Sequence, residues 1–134
     1  MKKHLCLTFA VLAITMVAAS LAAAENFFSP GAPHFTHQMV AGKTMVSSGY
    51  PTGTMTFHSN GTLTCTNYPA FVGCKNWRVL SDGTLRRDFT DSHTGQLMEV
   101  QAFWKLVSQS GNTLQVQQTS NNSNGVTSVT VTIQ

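Results

Sequence analysis

A turn repeated three times in the second half of the chain constrains the fold more than any other feature. Ser59-Asn60-Gly61-Thr62-Leu63, Ser81-Asp82-Gly83-Thr84-Leu85 and Gln109-Ser110-Gly111-Asn112-Thr113-Leu114 each interrupt an alternating apolar run. Asn-Gly and Asp-Gly between such runs signal antiparallel hairpins. A two-residue loop at Asn60-Gly61 would set Phe57 against Thr64 and His58 against Leu63, putting apolar residues on both faces of one hairpin. A three-residue loop, Ser59-Asn60-Gly61, instead sets Phe57 against Leu63 and Met55 against Cys65, with glycine where positive φ is needed. The same loop length pairs Val79 with Leu85, and in the third hairpin Leu106 with Leu114 and Trp104 with Val116. It also pairs Trp77 with Arg87, predicting a guanidinium laid across an indole on the inward face, with its head at a barrel mouth.

A first strand near Met39–Ser48, bent at Gly42, precedes these hairpins. Their strands fall near Thr54–His58, Thr62–Thr66, Asn76–Leu80, Thr84–Phe89, Gln101–Ser108 and Asn112–Thr119. After the polar turn Asn121–Gly125, Val126–Ile133 alternates valine with threonine as a last strand. The reading is all-β: about eight strands without a helix, joined in sequence as an up-and-down meander. Closure into a barrel removes exposed edges most simply, a strongly curved half-barrel being the alternative.

Lys2-Lys3, the apolar run Leu5–Ala19 and Ala22-Ala23-Ala24 before Glu25 have the charge, hydrophobicity and small-residue end of a signal peptide, so residues 1–24 read as a leader. Residues 25–38, with Pro30, Gly31 and Pro33 and no apolar period, read as an irregular N-terminal arm of weak local order. Residues 39–134 read as a single antiparallel β-barrel domain. The expected location is periplasmic or extracellular, and no later run reaches the length of a membrane-spanning helix. Removing Lys2 and Lys3 leaves six of the eight lysines and arginines against five acids, a charge near +1 with no basic cluster, which argues against nucleic acid as a partner. Two cysteines remain, Cys65 and Cys74, and in an oxidising compartment they are expected to bridge. The closed ten-residue loop is worth roughly 2.5 kcal/mol on loop entropy.

The acids Glu25, Asp82, Asp88, Asp91 and Glu99 form no evident pair, and the chain carries no G-x-S-x-G elbow or glycine-rich phosphate loop. No enzyme and no cofactor are expected. His34 and His37, with His58 or His93, could offer imidazoles to a metal, but their spacing matches no ligand motif, and no metal is expected. Two sets of residues remain for binding. Phe57, Trp77, Arg87, Phe89 and Trp104 face inward, either filling the core or lining a ligand cavity. Tyr50, Tyr68, Phe71 and the arm's Phe27, Phe28 and Phe35 sit on connecting segments, where aromatic rings suit partner contacts.

An exported eight-strand meander whose first strand carries Gly42 resembles the calycins, the lipocalins and their small bacterial lipocalin-like relatives, over roughly Met39 to Ile133. Lipocalins place a tryptophan two residues after the first-strand glycine, and here Gly42-Lys43-Thr44 has threonine. The resemblance implies a barrel and carriage of a small lipophilic ligand inside it. Small periplasmic lysozyme inhibitors use a Ser-Gly-x-x-Tyr loop; Ser48-Gly49-Tyr50 lacks the two intervening residues, and that activity is not carried over. The leading expectation is a non-enzymatic exported interaction protein whose loops meet a protein or a cell-envelope component, as an inhibitor, adhesion or attachment factor would. The alternative is the lipophilic-ligand carrier.

Overall fold

Eight strands form one antiparallel sheet in the computed structural model, which describes residues 31–134. The proposed leader, together with Phe27 and Phe28, lies outside the described residues. After a one-turn helix α1 (His37–Val40) come β1 (Lys43–Ser47), β2 (Gly53–Phe57), β3 (Leu63–Thr66) and β4 (Val72–Val79). These are followed by β5 (Leu85–Asp91), β6 (Met98–Ser110), β7 (Thr113–Ser120) and β8 (Ser123–Ile133). The spatial order β3-β2-β1-β8-β7-β6-β5-β4 is an up-and-down sheet that nearly closes into a barrel, the first strand pairing with the last, Met45 opposite Ile133 and Ser47 opposite Val131. This architecture is compatible with a lipocalin-like barrel.

The ladder is interrupted between β3 and β4. Only a single bridge, Thr62 to Asn76, and the Trp77 N–H donating to the Gly61 carbonyl at 2.8 Å join them through the backbone. The Cys65–Cys74 disulfide crosses the same seam. Covering two adjacent strand edges with a covalent link is one way to keep them from templating aggregation.

The first two hairpins have the register that their side-chain alternation demands. Phe57 faces Leu63, Met55 faces Cys65, Val79 faces Leu85 and Trp77 faces Arg87. Their turns are built alike. His58 N–H donates to the Thr62 carbonyl and Leu80 N–H to the Thr84 carbonyl, with Gly61 and Gly83 at φ 88° and 78°. The third hairpin differs from the expectation. Ser110 pairs with Thr113 around a two-residue Gly111-Asn112 loop, and Leu106 faces Val116 while Trp104 faces Gln118. Gly111, at φ 57°, supplies the positive φ at the first loop position, and a bulge at Val107 absorbs the extra residue. Leu106, Leu114 and Val116 are thereby all kept inside. A second bulge, at Lys75, explains why β4 starts four residues earlier than its alternation suggests. It resets the parity so that Cys74, opposite the inward Phe89, and Trp77, opposite the inward Arg87, lie on the same face.

The segment preceding β1 also departs from the expected irregular arm. Phe35 is 1% exposed, its N–H donates to the Gly83 carbonyl at 2.9 Å, and Val40 is fully buried. Thr36 caps α1, its hydroxyl accepting the Met39 N–H, and the His37 ring stacks on Trp77 with centroids 5.0 Å apart. This plug closes the end of the barrel that carries the β2–β3, β4–β5 and β6–β7 turns. A short polar segment without apolar period gives no sign of it, because only two side chains, Phe35 and Val40, do the burying. Phe35 is therefore a core residue and not a ring available to a partner.

Candidate functional site

The barrel halves differ in how they are filled. Near the plug, Phe57, Trp77, Trp104, Leu63 and Leu85 pack tightly, Phe57 meeting Trp77 edge-on at 5.8 Å and Trp104 at 6.4 Å. Trp77 directs its indole N–H to the His58 carbonyl at 2.8 Å, so both Phe57 and Trp77 serve the core. Toward the other end, where residues 48–52, 67–71, 92–97 and 121–122 connect the strands, a cavity of about 270 Å³ opens. Its wall is apolar, with Val72, Phe89, Val100 and Ala102, and its remaining lining is polar, with Asp91, Ser120, Asn122 and Ser123.

Arg87 lines this cavity and is 3% exposed. Its place follows from the strand register: on β5 it faces Trp77 on one side and Ala102, the smallest inward residue of β6, on the other. The space above Ala102 lets the guanidinium turn toward the diagonal neighbour. It lies 3.7 Å from the Trp104 ring centroid and 5.5 Å from that of Phe89. The cation–π partner is thus Trp104 and not the expected Trp77, whose ring is held by His37. Nor does the head emerge at a barrel mouth: the chain runs inward and stays there.

Few atoms answer this buried charge. One terminal nitrogen donates to Gln118 Oε1 at 3.2 Å and the other to the Met55 thioether at 3.7 Å, while Nε has no partner. Burial pulls the Arg87 pKa down to about 9, the nearby Tyr68 phenol acting in the opposite direction, so the group remains charged at neutral pH. The same burial pushes the Tyr68 phenol up, with Arg87 partly offsetting it. Gln118 organises the floor of the site. Its Oε1 also accepts the Trp104 indole N–H at 2.8 Å, and its Nε2 donates to the Tyr50 carbonyl at 3.4 Å, tying the β1–β2 connection to the buried cation.

Of the predicted cavity residues, Arg87 and Phe89 line the opening and Trp104 supports Arg87 from below. Of the predicted loop aromatics, Tyr50 is 70% exposed at the rim. Tyr68 packs over Phe89 with nearly parallel rings 6.4 Å apart, and Phe71 leans on His93 at 5.7 Å, both half-buried. Gln118, Ala102 and Asn122 were not legible as site residues, since glutamine and asparagine in a polar strand or turn carry no motif. The two-residue loop of the third hairpin is the signal that sets Gln118 opposite Trp104. Among the described residues no cluster of three or more histidine, cysteine or acidic side chains could hold a metal ion. Nor is any described helix long and apolar enough to cross a membrane.

In comparisons with protein-family models, characterised proteins and solved structures, nothing matches this chain.

Proposed function

We propose that this protein is a non-enzymatic, exported binder of a small amphiphilic molecule held in the open half of its barrel. The observation that carries the reading is the unequal filling of the interior, packed against the plug and hollow beyond Arg87, with an apolar wall under a polar rim. Small-molecule sites have this mixture, an enclosing apolar surface with a few placed polar groups, and typically span roughly 300–1,000 Å³. About 270 Å³ falls just below that range and suits a small ligand. The disulfide across the barrel seam fits an oxidising compartment.

Tryptophan emission tests the reading directly, because Trp104 lies beneath the cavity while Trp77 is sealed near the plug. In a Trp77→Phe background, sodium octanoate or 1-octanol is expected to change Trp104 emission saturably. Val100→Phe, which narrows the cavity on the wall opposite Phe89, should abolish the response in a protein of unchanged circular dichroism. Absence of a saturable response to either compound refutes the reading. A second reading, contact with a protein or envelope component through the loops, is favoured by Tyr50, whose ring is exposed at the rim. Tyr50→Ser should then remove a partner captured from the source's own envelope.

A further inference from the structure

Resting on the cavity reading above, we infer that the ligand is a carboxylate amphiphile, its head set against the Arg87 guanidinium and its tail along Val72, Phe89, Val100 and Ala102. The argument begins with charge balance. The described side-chain carboxylates all have other partners: Glu99 with Lys75 at 3.0 Å, Asp88 with Arg86 at 2.7 Å and Asp82 with the Thr84 N–H, while Asp91, which itself lines the cavity, is held by His93. Arg87 alone combines near-complete burial with the lack of any anionic partner among the described residues.

Such an arrangement is unfavourable unless something completes it, since a buried charge is tolerated only when paired and hydrogen-bonded. A guanidinium has five N–H donors, and here they meet one amide oxygen, one thioether and two aromatic faces. Were packing the sole requirement, methionine or leucine would fill the position beside Trp104 without desolvating a cation. The deficit is one negative charge with two acceptor oxygens, which a carboxylate supplies in the fork geometry that guanidinium matches. Gln118 is the exchangeable neighbour. Its oxygen is shared between Arg87 and the Trp104 indole, so an arriving carboxylate can take the guanidinium while the indole bond keeps the glutamine in place. The apolar wall beside the cation then requires that the anion carry a hydrocarbon portion, which excludes a bare inorganic ion as the best-fitting occupant.

The test compares sodium octanoate, 1-octanol and octyl phosphate, by calorimetry and Trp104 emission, on the mature protein and on Arg87→Met. Octanoate should bind the unaltered protein about 10- to 100-fold more tightly than octanol, the range expected for hydrogen bonds to a charged group. Arg87→Met should lose that preference, octanoate then binding no more tightly than octanol. Equal affinity for octanoate and octanol overturns the anion assignment while the cavity reading stands. Tighter binding of octyl phosphate overturns the carboxylate class, and no binding of any of the three overturns both readings. The preference measured on the unaltered protein decides the matter even if Arg87→Met does not fold.

Discussion

Replacing Arg87 by methionine should make the empty protein more stable, which is the opposite of the usual result at a buried position. The magnitude follows from the surroundings of the guanidinium. The fall of the Arg87 pKa from its ordinary value to about 9 corresponds to about 5 kcal/mol against the charged form, at 1.36 kcal/mol per pKa unit. Against this stand a desolvated cation–π contact with Trp104, about 2 kcal/mol, and a charged hydrogen bond to Gln118, about 1.5–3 kcal/mol. The balance is a net cost of about 0–1.5 kcal/mol. Methionine removes it and adds apolar burial, so stabilisation of about 1–3 kcal/mol is expected, within the range seen when buried charges give way to hydrophobic groups. For a domain of this size each kcal/mol raises the thermal midpoint by about 4–8 °C. Thermal and urea unfolding of ligand-free protein, followed by far-UV circular dichroism, measures the difference. A loss of 1 kcal/mol or more in Arg87→Met would refute the reasoning, because it would mean that the Trp104 and Gln118 contacts compensate the charge fully and that Arg87 is a structural residue.

Three further outcomes test the fold. Reducing the Cys65–Cys74 bridge, or replacing both cysteines by serine, should lower stability by roughly 2.5 kcal/mol while the domain stays folded at room temperature, since the other seven strand pairings, β1 with β8 included, do not depend on the seam. A urea series with and without reductant checks it. Phe35→Ala should cost about 3–5 kcal/mol and expose Trp77 to quenching by iodide, because the plug rests on that ring. Acid should destabilise the protein through Asp82 and Asp91, whose carboxyls are held below the ordinary value of 3.8 chiefly by the Thr84 and His93 backbone N–H groups. Their folded-state pKa values being depressed, the contribution is complete above the unfolded value and disappears as pH falls through the folded ones. Asp91→Asn should flatten the fall in stability below about pH 4, as followed by circular dichroism in an acid titration.

By itself the sequence determined what short-range sterics and alternation can encode. Side-chain alternation around Asn60-Gly61 and Asp82-Gly83 leaves one register open, because any one-residue slip would turn Phe57 or Leu85 to solvent. Two hairpins, the eight-strand meander and the cysteine pair follow from local rules of that kind. The tertiary structure decided the rest. The bulge at Val107 depends on where β6 meets β7, and the plug on a barrel end that only the curved eight-strand sheet creates. Gln118 and Ala102 matter only because pairing places them beside Trp104 and Arg87. Above all, an arginine on an inward strand face is ambiguous in sequence, since its flexible stem can carry the charge to water or keep it within. The space left by Ala102, the face of Trp104 and the amide of Gln118 keep it within, and it is this uncompensated charge, set by neighbours distant in the chain, that gives the barrel a candidate site.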